Sequence, residues 1–157
     1  MTPWDIKDRP NLFPWPPVLL GIAILGGFAL GQLAPIAVAS SPTSQAIGFV
    51  MIACALGLDV WASLTFRKAR TTILPHRGTD TIVTAGPFAY SRNPIYLGNL
   101  LILGGIGLLV GSVWHIALVA PLGIAINRLA IAREEAHLAA KFPEQWNAYA
   151  QRVRRWV

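Results

Sequence analysis

The 157-residue chain is 54% hydrophobic and only 13% charged, with a mean hydropathy of +0.52, whereas a soluble domain carries about 25% charged residues. Its thirteen basic and seven acidic side chains leave a formal charge of +6. No basic stripe interleaved with aromatics is present, which argues against nucleic acid and for a membrane surface. One cysteine, Cys54 in an apolar run, excludes an internal disulfide and a cysteine-based metal cluster.

No charged residue falls between Arg9 and Asp59, or between Arg92 and Arg128. The expected architecture is therefore all-α, a polytopic membrane protein forming one domain. Two helices occupy residues 1–66. A polar loop, a helical hairpin and a C-terminal segment occupy 67–157. About four transmembrane helices are expected, the last two a short hairpin, followed by interfacial helices.

In chain order, Trp4 and Trp15 suit an approach to the bilayer interface. A first apolar run extends from about Val18 to Ala39. Ala37-Val38-Ala39 has the form of a signal-peptidase site. The leading residues balance Lys7 and Arg9 against Asp5 and Asp8, and the run exceeds a signal core, so a retained helix is expected. Ser40 to Thr43 turns the chain. A second run, Ser44 to Phe66, ends at Arg67, Lys68 and Arg70. Asp59 lies within it, about two turns from the basic end. An intramembrane carboxylate is a functional candidate, and pairing with a nearby arginine is the plainer reading.

Residues 67–93 form a connection too long to be a simple linker, and Ile82, Val83, Phe88 and Tyr90 give it means to pack. It leads into Pro94, which suits a first helical turn. Arg92 and Asn93 are placed to cap that helix, where free N–H groups can meet an anion. Pro94 to Val110 is 17 residues, about 25 Å of helix, just short of a hydrocarbon core of about 30 Å. Gly111-Ser112 turns the chain, and Val113 to about Ile131 returns. Gly98, Gly104, Gly105, Gly107 and Gly111 permit close helix approach.

Glu134 and Glu135 stand at the mouth of that helix, where paired carboxylates are costly unless they meet cations. Leu138, Phe142, Trp146, Tyr149 and Val153 recur at helical spacing, with Pro143 starting a second helix. Lys141, Arg152, Arg154 and Arg155 suit a lipid headgroup surface. With four spans, all thirteen basic residues fall on one side, which the positive-inside rule makes cytoplasmic. His76, His115 and His137 are scattered, so no metal site is expected.

The run Gly86-Pro87-Phe88, then Arg92-Asn93-Pro94-Ile95-Tyr96 and Gly98, then an apolar hairpin and Glu134-Glu135 with Leu138, resembles the isoprenylcysteine carboxyl methyltransferase and phospholipid methyltransferase superfamily of integral membrane enzymes. The likeness covers about residues 67–153. It implies methyl transfer from S-adenosylmethionine to a membrane lipid or another lipid-like or small amphiphilic acceptor. It places cofactor contacts at Asp80, Thr81, Ile82, Val83, Phe88, Asn93, Pro94, Ile95, Tyr96 and Glu134. Arg92 and Glu135 are the expected catalytic residues.

Two departures matter. Where the superfamily often has histidine, Asn93 keeps hydrogen bonding but does not titrate near neutral pH. Isoprenylcysteine carboxyl methyltransferases carry an arginine four residues before the first glutamate, read as binding the substrate carboxylate. Here Ala130 stands in its place, so a prenyl-cysteine carboxylate is not the expected acceptor; an amine, a thiol or another small amphiphile stays open. The alternatives to an enzyme are a non-catalytic four-helix membrane protein and a small transporter coupled through Asp59. A distant resemblance to membrane sterol reductases also leaves a nicotinamide cofactor open, although no basic pocket for its phosphates stands out.

Overall fold

The computed structural model describes residues 15–36, 40–69 and 82–157. Among them every regular element is helical: α1 (Trp15–Leu33), α2 (Pro42–Lys68), a 3-10 turn (Gly86–Ala89), α3 (Pro94–Val110), α4 (Val113–Ala117) and α5 (Val119–Ile126). A π-turn (Asn127–Ile131), α6 (Ala132–Lys141) and α7 (Pro143–Arg152) complete the order. Three segments are long and apolar enough to cross a membrane: Pro16–Leu33, Pro42–Lys68 and the continuous run Val113–Lys141. Pro94–Val110 is a shorter apolar helix. The chain is a polytopic all-α membrane protein.

Helix α1 stops at Leu33, six residues before the expected end at Ala39. Pro35 explains this, because it disfavours helical geometry at Ala34. The carbonyl of Ala34 is taken instead by the indole Nε1–H of Trp114, at 2.6 Å. Positions 37–39, which carry the cleavage-like motif, lie outside the described residues, as do Trp4 and His76. Helix α2 begins two residues earlier than expected. Ser41 caps it in a reciprocal box, Ser44 N–H donating to Ser41 Oγ at 3.1 Å and Ser41 N–H to Ser44 Oγ at 3.0 Å, with Pro42 in the first turn.

Helix α3 is the axis of the bundle. Helix α2 packs along one side of it, and α1, α4 and α5 along the other. The α2–α3 contact is backbone on backbone. A Cβ on Gly48 would sit 2.6 Å from the carbonyl oxygen of Gly105, and one on Gly105 would sit 2.8 Å from that of Gly48. Small-residue contact of this kind replaces the hydrophobic effect as the driving force between helices in lipid. On the other side, Leu103, Leu122, Ile126 and Ile131 form the core with Ala23.

Gly111 closes α3 with φ +64°, the left-handed cap that glycine adopts without cost. The returning run is not the single even helix expected over Val113–Ile131. It loses regularity at Leu118, three residues before Pro121, which has no N–H to offer the carbonyl of Ala117. It then widens into the π-turn and continues through the acidic pair to Lys141. Pro143 does start a separate helix.

Candidate functional site

The loop before α3 is built onto the helices beneath it. Gly86 has φ +62°, and a Cβ there would meet Thr65 Oγ1. The tight approach lowers the 3-10 turn onto α2 and sets the Phe88 ring 4.9 Å from that of Phe66. Phe88 is buried, and its carbonyl accepts the Tyr149 hydroxyl at 2.7 Å. Burial pushes the Tyr149 phenol up to about 12, against the lowering influence of the Arg92 charge. Helix α7 is thereby fastened across the loop.

Arg92 follows. Its guanidinium lies over the Trp146 ring, 5.4 Å from the centroid, and Nη1 is 3.3 Å from Glu135 Oε1. Its Nε is buried without a hydrogen-bond partner among the described residues. Glu135 takes a second guanidinium from the C-terminal tail. Arg155 Nε donates to Oε1 at 3.1 Å, and Nη2 donates to Oε2. The remaining branch, Nη1, donates to Asn127 Oδ1 at 3.2 Å. Two cations therefore share one carboxylate, a charge-assisted arrangement of the stronger kind.

Glu134 goes elsewhere. Consecutive helical residues diverge by about 100°, so the twin carboxylates face different partners. Glu134 Oε2 accepts the hydroxyl of Tyr96 from the first turn of α3, at 2.8 Å. That bond joins two residues 38 positions apart. It closes α3 and α6 on one another at the polar end of the hairpin.

Asn93 is buried at the N-cap position of α3, but its side chain makes no capping bond. This departs from the expected cap. Nδ2 donates instead to the carbonyl of Arg155 at 2.9 Å, and the Asn93 N–H is met by Ser91 Oγ at 3.1 Å. Pro94 is fully buried, while Ile95 and Tyr96 are half-buried. Ile82 and Val83 are half-buried in irregular chain leading into the 3-10 turn. Asp80 and Thr81 lie outside the described residues.

Sequence reading misses Arg155, Asn127, Trp146 and Tyr149 as members of this site. It puts Arg155 on the lipid headgroup surface with Arg152 and Arg154, whereas the side chain turns inward. The available signal is the acidic pair itself, which requires nearby cations. Ala130 is buried within the π-turn, and Arg128 is exposed. Asp59 forms no ion pair among the described residues. Its Oδ1 is buried, has no hydrogen-bond partner among the described residues, and lies 3.1 Å from where a Cβ on Gly98 would stand. His115 is buried against Gly27, with Nδ1 2.9 Å from Ser112 Oγ, far along the chain from the acidic pair. An apolar cleft of about 370 Å³ opens between α2, the 3-10 turn and α3, lined by Leu58, Trp61, Pro87, Tyr90, Pro94 and Leu97.

A membrane-embedded helical bundle, with a polar loop, a hairpin and an acidic pair converging at one end, is the class that fold and site define. Residues 43–145 match the phospholipid methyltransferase family, and the chain belongs to that family. It is similar to the cobalt-zinc-cadmium resistance protein CzcN of Cupriavidus metallidurans, with 32% identity over 114 residues, 72% of this chain and 48% of that one. It is also similar to the nickel-cobalt-cadmium resistance protein NccN of Alcaligenes xylosoxydans xylosoxydans, with 35% identity over 49% of this chain and 36% of the relative. An uncharacterised protein of Haemophilus influenzae is matched over its whole length at 40% identity, covering 40% of this chain. The chain thus spans about half or less of the two metal-resistance relatives. No solved structure matches it.

Proposed function

We propose that this chain catalyses methyl transfer from S-adenosylmethionine to a lipid-like or small amphiphilic acceptor at the cytoplasmic membrane face. The observation that carries the reading is the Tyr96–Glu134 hydrogen bond, which closes a polar site between the α3 start and the acidic pair inside the family-matched region.

The residues present suit such a donor. When bound, S-adenosylmethionine supplies an electrophilic methyl group on a sulfonium. Glu134, steadied by the Tyr96 hydroxyl, offers a carboxylate to a cationic ligand group. The Nε of Arg92, without a partner among the described residues, offers a hydrogen-bond donor to a carboxylate. Asn93 is committed to the tail carbonyl, so it orients the loop and moves no proton. The chain's work is alignment, and positioning of this kind lowers a barrier by about 7–11 kcal/mol. The apolar cleft beside Trp61 and Leu97 suits the hydrocarbon part of an acceptor. The cytoplasmic orientation rests on basic residues being absent from the 40–44 and 111–112 turns.

The test is transfer of a labelled methyl group from S-adenosylmethionine into lipid extract by the purified protein. Incorporation by wild type, lost in Glu134→Gln, is expected. Incorporation that survives Glu134→Gln unchanged contradicts the assignment.

The Asp59 oxygen, unpartnered among the described residues, favours a second reading, a small ion-coupled transporter. In that case Asp59→Asn abolishes coupled flux while Glu134→Gln leaves it intact.

A further inference from the structure

Helix α7 ends at Arg152, and the residues that follow are held by the site rather than by lipid. Val153 begins an extended tail, with φ −118° and ψ 129°. The tail runs beside the loop that precedes α3. Arg92 N–H donates to the carbonyl of Arg154 at 3.0 Å, and Asn93 Nδ2 donates to that of Arg155 at 2.9 Å. Trp156 packs against the Leu103–Ile126 core. The backbone of Arg155 is therefore fixed on both sides.

All three of its guanidinium nitrogens are engaged, two by Glu135 and one by Asn127. A planar fork on a carboxylate fixes the carboxylate's rotation as well as its position, which a lysine ammonium does not do. Asn127 is the first residue of the π-turn that leads towards Glu135, and such turns recur at functional sites. Arg92 makes a single contact with Glu135, and its Nε has no hydrogen-bond partner among the described residues.

We propose that Arg155 is a positioning residue: its fork on Glu135 and Asn127 holds Glu135 so that Arg92 is only partly neutralised and keeps a donor for the ligand. This rests on the reading of the site as a methyl-donor pocket. Without Arg155, Glu135 swings to pair fully with Arg92, and the donor group is withdrawn.

The test uses the full chain in detergent. Calorimetry with S-adenosylmethionine and S-adenosylhomocysteine is run on wild type, Arg155→Ala, Arg155→Lys and Arg154→Ala, with thermal midpoints recorded alongside. Arg154 has an exposed side chain in the same tail, so its loss removes equal charge without touching the fork. The expected result is affinity weakened roughly 10- to 100-fold in Arg155→Ala, by analogy with loss of other supporting contacts. Arg155→Lys keeps its midpoint and is weakened nearly as much, Arg154→Ala binds as wild type, and added guanidinium ion partly restores Arg155→Ala. Equal binding by Arg155→Lys and wild type, or equal weakening by Arg154→Ala, overturns the positioning role alone. Wild type that binds neither ligand overturns the donor reading, and this inference with it.

Discussion

The lipid-facing half of the bundle and its polar end are held together by different physics. Along α1 and α2 large apolar side chains remain exposed, Leu33 at 83% and Phe49 at 67%, because lipid and not protein is their partner. There the helices meet through absent side chains, as at Gly48 and Gly105. At the polar end, residues distant in sequence are joined by named atoms: Tyr96 to Glu134, Phe88 to Tyr149, Asn93 to Arg155. The first region tolerates exchange of one apolar residue for another on its outer face. The second depends on individual donors and acceptors.

The sharpest way to break that contrast is Glu135→Ala. It strands the Arg92 and Arg155 guanidinium groups, and removing one partner of a buried ion pair costs about 3–5 kcal/mol. Arg155 is 39% exposed, and water there softens the loss to about 3 kcal/mol or less. A lower thermal midpoint with overall helix content retained at low temperature is the expected outcome, read by circular dichroism.

Gly48→Leu attacks the other region. Its first atom would stand 2.6 Å from a backbone carbonyl, which no rotamer relieves, so α2 must part from α3. Overpacking costs about 1–3 kcal/mol. A fall in monodisperse yield is expected, whereas Leu25→Ile on the lipid face leaves yield unchanged.

The smallest effect is Tyr149→Phe, about 1 kcal/mol for one hydrogen bond. Its pH dependence separates it from the others. The folded-state phenol is raised from 10.0 to about 12, so the neutral form is favoured by folding. That stability is complete below about pH 10 and is lost as pH rises through 12. Wild type should lose its advantage over Tyr149→Phe across that window, as followed by thermal midpoints.

How much is legible in the sequence follows the same division. Helix α3 runs over the expected Pro94–Val110, because proline and glycine mark its two ends with unambiguous backbone demands. The acidic pair and Tyr96 are visible as candidates because polar groups are conspicuous beside apolar runs. The early end of α1 is also written in Pro35, but hydropathy alone carries the run on to Ala39. The π-turn has no comparable signal, since Asn127–Ile131 reads as ordinary helix. The inward turn of Arg155 depends on tertiary contacts with Ser91, Asn93 and Asn127, and neighbouring Arg154 has the same composition and the opposite fate.

The most direct measurement is calorimetric titration of the detergent-purified chain and its Glu134→Gln variant with S-adenosylmethionine and, separately, NADPH. The account predicts that wild type binds S-adenosylmethionine, that Glu134→Gln loses most of that affinity, and that NADPH gives no heat of binding. Binding of NADPH alone, or S-adenosylmethionine affinity unchanged in Glu134→Gln, would contradict it.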